Sequence, residues 1–229
     1  MVSFTKLHIR KPIRKAGMKM SKKQALTEFH RGSILAAAER LFAEKGTEGT
    51  TMDDIAREAE YSKATLYVYF QSKEEIIDAI LLSGMVLLKK KIHEAIESRS
   101  DWHEAYQAVC MTIVRFYDEN PTAYDAATGT LPRHQIRDAN EKGMADILRV
   151  NREIEEELAA FLAKGAEVGA VRARLHPSET VLLLWSALSG MIHNADLRTR
   201  YIQNELGLDR EEFLLHGAEL LLAALTASD

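Results

Sequence analysis

The chain has 229 residues, 46% of them hydrophobic and 28% charged, with a net charge of −4. That balance describes a globular chain able to bury a core, as one large domain or a small domain packed on a bigger one. It excludes a membrane span, since no apolar run approaches the roughly 18 residues that cross a bilayer, and the basic N-terminus leads into no apolar signal segment. The single cysteine, Cys110, excludes an internal disulfide framework and points to a reducing, cytoplasmic setting.

Charge is unevenly spread. Residues 1–75 hold 14 Lys and Arg against 10 Asp and Glu, whereas the remainder holds 16 against 24. A basic first third places polyanion binding at the N-terminal end and keeps it out of the rest. Residues 1–20 have no sustained period and carry Lys6, Arg10, Lys11, Arg14, Lys15 and Lys19. They read as a flexible basic arm, or simply as a tail of the kind common at termini.

Beyond residue 20 the pattern is helical throughout. Ile34, Leu35, Ala38, Leu41 and Phe42 follow one helix face, and Gly46 stands where a helix stop belongs. Thr50, Thr51 and Ser62 are candidate N-caps of two short helices. Ser72-Lys-Glu-Glu75 is a capping box that opens a long helix to about Ser98. Its buried stripe is Ile76, Ile77, Ile80, Leu81, Met85, Leu88 and Ile92. Asp101-Trp-His-Glu104 opens another helix, which ends before Pro121. A helical stretch over 133–168 closes near Gly169, and Pro177-Ser178 begins the next helix. Asp209-Arg-Glu-Glu212 starts the last one, from Phe213 to about Ala227. Nothing alternates with period two, so an all-α protein is expected.

The stretch Thr51–Phe70 carries the functional signal. Ile55, Ala56 and Ala59 give a short first helix an apolar face, and the small Ala56 lets a second helix cross closely. Ser62 caps that second helix, whose Leu66 and Phe70 point inward four residues apart. Two short helices, a tight turn and a small residue at the crossing make a helix-turn-helix. Such a motif enters the major groove with the first residues of its second helix leading. Here those are Lys63, Ala64 and Thr65: an ammonium for guanine acceptors, a small residue for close approach, and a hydroxyl with a methyl. Tyr67 and Tyr69 offer hydroxyls suited to phosphate oxygens. Thr51 and Lys73 lie at the starts of flanking helices, where free amides favour an anion.

From about Phe29 to Ile76 the chain resembles the DNA-binding domain of the TetR (tetracycline-repressor) family, through "TTMDDIAREA", "SKATLYVYF" and "SKEEI" at the family's spacing. The resemblance implies an N-terminal three-helix helix-turn-helix domain over 21–75. Over 76–229 it implies a C-terminal helical bundle for effector binding and dimerisation. The groove-reading role then falls on Lys63, Ala64 and Thr65, and phosphate contact on Thr51, Ser62, Tyr67, Tyr69 and Lys73. In one respect the chain departs from the family, which usually has glycine where Glu60 stands and a small aliphatic residue where Tyr61 stands. A turn residue forced to positive φ is strained unless it is glycine, and an acidic side chain near phosphates opposes binding.

The C-terminal two thirds show no phosphate loop, no metal-ligand spacing and no nucleophile–base pair, so no enzyme activity, metal or cofactor is expected. His93, His103, His134, His176, His193 and His216 are scattered. Tyr106, Cys110, Phe116, Tyr117, Tyr124 and Trp185 are candidates to wall a small-molecule pocket, or they simply fill the core. The last two helices are apolar over more than one stripe, as Leu220-Leu-Leu222 shows, which suits a homodimer. A dimer also meets the need to set two recognition helices about 34 Å apart on double-stranded operator DNA. The expected protein is a ligand-responsive repressor of a palindromic operator, released by a hydrophobic or amphipathic effector. A chromosome-associated factor that recruits a protein partner is the alternative.

Overall fold

A computed structural model describes residues 21–128, 141–172 and 176–226; the basic arm and the first residues of the helical stretch 133–168 lie outside them. Among the described residues there are ten helices and no strand. The helix α1 (Lys22–Lys45) starts at a closed capping box: the Gln24 amide donates to Ser21 Oγ, and the Ser21 amide donates back to the Gln24 side chain. It ends at Gly46, whose φ of 74° continues the chain in a conformation that a side chain disfavours. Thr50 is not the cap its sequence suggests. It is buried, and its hydroxyl donates to Gly46 O at 2.8 Å, closing the end of α1 instead.

Two short helices follow, α2 (Met52–Glu58) and α3 (Lys63–Tyr69), and then the long α4 (Lys73–Glu97). Ile34, Phe42, Ile55, Leu66 and Phe70 lie between α1, α2 and α3 as a small core, and Ile76 of α4 joins it. The rest of α4 lies against α5 (Trp102–Glu119), α6 (Pro121–Thr128) and α7 (Glu141–Glu167). The helices α8 (Pro177–Leu197), α9 (Thr199–Glu205) and α10 (Arg210–Thr226) complete the bundle, with α8 packed on α7 and α10, and α10 on α5. Thus α4 packs on α1 of the N-terminal head and on α5, α6 and α7 of the bundle, which makes it a connection between the two.

Among the described residues, no helix is long and apolar enough to cross a membrane. The expected starts at Ser72, Asp101 and Asp209 are present. Each side chain accepts from the amide three residues on, and Asp209 and Glu212 close a reciprocal box. Neither α6 nor α9 is anticipated by the sequence pattern. Pro121 looks like a break but sits at the first position of α6, where its missing N–H leaves no intrahelical bond unmade. For α9, no side chain caps the start.

Candidate nucleic-acid interface

The short helices α2 and α3 are held at their crossing by Ile55, Ala56 and Leu66, all buried. Thr51 caps α2 through a reciprocal pair: the Asp54 amide donates to Thr51 Oγ1, and the Thr51 amide and hydroxyl both donate to the Asp54 carboxylate. Lys45 adds an ion pair to Asp54 at 3.0 Å. Hydrogen bonds from Thr51 and Lys45 hold the Asp54 carboxyl well below the usual carboxylate range. The turn follows at once. The Tyr61 amide donates to Ala56 O at 2.8 Å, and Glu60 between them takes φ of 60°, the one non-glycine residue at positive φ among those described. The position where the family resemblance places glycine is therefore left-handed here, and a glutamate occupies it.

Ser62 caps α3, accepting from the Thr65 amide at 3.1 Å and sharing a hydrogen bond of 2.8 Å with the Thr65 hydroxyl. That contact fixes the Thr65 side chain. With Leu66 and Phe70 turned inward, Lys63, Ala64 and Tyr67 lie on the exposed side of α3, and Thr65 and Tyr69 are half-buried. Lys63 carries its ammonium 2.7 Å from Asp53 in the first turn of α2, and that carboxylate raises the lysine above its ordinary pKa. Val68, missing from the sequence reading, is 74% exposed on the same helix. The inward spacing of Leu66 and Phe70 was the signal that could have found it. An exposed aliphatic side chain there has the chemistry to meet a thymine methyl.

Lys73 stands apart from this surface. Its ammonium donates to Thr47 O at 2.7 Å and Thr50 O at 3.1 Å, so two of its three protons tie α4 to the α1–α2 connection.

The second set of expected residues divides in two. Tyr106, Cys110 and Trp185 line a small apolar cavity of about 50 Å³ among α5, α7, α8 and α10, together with Phe161 and Leu188. The Tyr106 hydroxyl donates to Ala218 O at 3.1 Å, and burial pushes its phenol upward. Burial likewise pushes the Cys110 thiol up to about 11, leaving it a small, unreactive hydrophobe at neutral pH. Phe116, Tyr117 and Tyr124 do not line that cavity. Phe116 and Tyr124 are core, and Tyr117 meets Tyr124 edge-on at 5.0 Å. Tyr124 reaches α8 through a 2.8 Å hydrogen bond to Ser189 and a stack on Trp185. Among the described residues, no three His, Cys, Asp or Glu side chains stand together as a metal site.

The comparisons with known proteins settle what kind of head this is. Residues 34–80 match the family model for "Bacterial regulatory proteins, tetR family". Over 143 residues the chain is 30% identical to the HTH-type transcriptional repressor KstR2 of Rhodococcus jostii, covering 62% of this chain and 68% of that one. The chain belongs to the TetR family. Another relative is the HTH-type transcriptional regulator YhgD of Bacillus subtilis, 27% identical over 65% of this chain and 73% of that one. The TetR-family regulator PfmR of Thermus thermophilus has the same fold, with a TM-score of 0.62 at 27% identity over 82% of this chain and 96% of that one. The protein is thus a DNA-binding transcriptional regulator of TetR type, with a helix-turn-helix head and a helical C-terminal bundle.

Proposed function

We propose that this TetR-family regulator is a repressor that binds a palindromic operator as a homodimer and is released by a hydrophobic or amphipathic small molecule. The observation that carries the DNA contact is the exposed row on α3, with Lys63, Ala64 and Tyr67 outward and Thr65 fixed by Ser62. In this reading Lys63, Ala64 and Thr65 read base edges, and Thr51, Ser62, Tyr67, Tyr69 and Lys73 clamp phosphates. The name of the KstR2 relative supports repression.

The dimer forms through α8 and α10. Leu182, Leu183 and Leu220 are more than half exposed there, on helices whose Leu188, Leu214 and Leu222 are already buried. Such second apolar faces call for a partner. The effector enters the cavity walled by Tyr106, Cys110 and Trp185. That cavity holds only a fragment of a ligand as it stands, so binding spreads α5, α7, α8 and α10. Because α4 packs on α5 and α7, its head-bearing end moves, and the two heads lose the spacing that fits successive major grooves. Effector and operator then favour different states, and each weakens the other by the same factor.

The test is fluorescence anisotropy on the duplex upstream of the protein's own gene, across a salt series, with wild type beside Lys63→Ala and Tyr67→Phe. Expected is tight, salt-dependent binding that both changes weaken, Lys63→Ala by about 1–3 kcal/mol. A folded dimer that binds this duplex no better than random DNA, with both variants unchanged, contradicts the assignment of the reading residues.

A further inference from the structure

With seven residues, α3 is too short to hold its own shape. Leu66 and Phe70 seat its inner face on the head core. A further constraint comes from α1. His30 Nδ1 lies 2.6 Å from the Tyr61 hydroxyl, and the two rings meet edge-on at 5.5 Å. The same imidazole lies 5.5 Å from the Tyr69 ring. Tyr61 immediately precedes the cap of α3, and Tyr69 is its last residue, so one side chain touches both ends of the helix. The next residue of α1 repeats the grip on the far end. Arg31 donates to Tyr69 O at 2.6 Å and lies 4.0 Å over the Phe70 ring.

We infer that His30 is a positioning residue for operator recognition, setting through Tyr61 and Tyr69 the angle at which α3 meets DNA. The inference rests on α3 being the groove-reading helix. With the imidazole proton on Nε2, Nδ1 accepts from the Tyr61 phenol. A small aliphatic residue at position 61 could make no such bond. The bond therefore acts where this chain departs from its family, beside the left-handed Glu60, and it fastens to α1 a turn that lacks the usual glycine. Both partners are half-buried, so solvent competes with the bond only in part.

The full-length chain is tested as His30→Ala, Tyr61→Phe, the double variant and His30→Asn, whose Oδ1 can fall near the place of Nδ1. Each is measured for affinity to the upstream duplex, for melting temperature, and for amide hydrogen exchange over residues 52–69 in the free protein. Expected is a loss of affinity of about three- to tenfold in His30→Ala and in Tyr61→Phe. The double variant should be no weaker than His30→Ala, and His30→Asn should recover most of the loss. Exchange should quicken over 63–69 and stay unchanged over 52–58. Additive losses, no recovery by asparagine, or exchange that rises equally across the head would overturn the proposal and leave His30 an ordinary packing residue. If His30→Ala does not fold, Tyr61→Phe, which deletes one oxygen, carries the comparison. A wild type that binds no duplex counts against the reading of α3 itself, and the exchange data then still decide whether His30 orders that helix.

Discussion

Lys63, the first residue of α3, keeps its ammonium 2.7 Å from the carboxylate of Asp53 in the helix before it. Both side chains are more than half exposed, so the pair adds little to stability. Its effect falls on DNA. In the proposed reading Lys63 enters the groove, so its charge is partly neutralised until Asp53 releases it, and that carboxylate would itself face a polyanion. Asp53→Asn is therefore expected to leave the melting temperature within about 1 °C while tightening binding to operator and random duplex alike. The salt dependence should steepen by about one counterion. Anisotropy across a salt series reads both, and unchanged affinity for either duplex would show that Asp53 does not compete.

Glu60 makes a second adjustable feature of the same turn. Its φ of 60° puts an ordinary side chain in left-handed backbone, at about 1–2 kcal/mol. Glu60→Gly is expected to raise the melting temperature by a few degrees. It should also strengthen DNA binding, because a negative charge leaves the turn. Glu60→Ala separates the two effects, keeping the strain while removing the charge. Calorimetry should find glycine above wild type; alanine equal to glycine in stability would show that the turn is not strained.

Much of this was legible in the sequence because it is local. Ser62, Ser72, Asp101 and Asp209 announce their helices through bonds to amides three residues away, and the inward pair Leu66 and Phe70 orients α3. Thr50 was misread for the same reason. Its hydroxyl turns back to Gly46 instead of forward to α2, a choice made by burial and not by spacing. Lys73 pointed to phosphate by position, yet its bonds go to carbonyls 26 and 23 residues earlier. The link between His30 and Tyr61 spans 31 residues, and no periodicity encodes it. The aromatic candidates separated likewise. Tyr106, Cys110 and Trp185 share a cavity that α5 and α8 create only when packed, whereas Tyr117 and Tyr124 meet each other edge-on outside its lining.

Asp54 makes the anchoring of α2 depend on pH. Its folded carboxyl is held below its ordinary value, chiefly by Thr51 and then by Lys45, so the ionised form is the one the fold favours. The contribution is fully present above the unfolded carboxylate value of about 4 and is lost as pH falls through the lower folded value. Asp54→Asn should thus melt below wild type at neutral pH. The gap should close as acid is added below about pH 4. Paired melting curves at several pH values test this, and a gap that stays constant into strong acid would assign the loss to packing.

Gly84 lies where α4 crosses α6, and a Cβ placed there runs into the Cβ of Ala123. Both Cβ atoms are fixed by the helix backbones that carry them, so neither can swing aside as the end of a long side chain would. Gly84→Ala must push α4 away from α6, with a loss of about 1–3 kcal/mol typical of overpacking. A change of stability alone would say nothing about function, but α4 also carries the head. The displacement is expected to reduce operator affinity by more than affinity for random duplex, because only the operator demands a fixed spacing of two heads. Ala123→Gly removes the colliding methyl from the other side, so the double variant should recover both stability and operator preference. Recovery of stability without recovery of operator preference would show that the α4–α6 crossing does not set the position of the head.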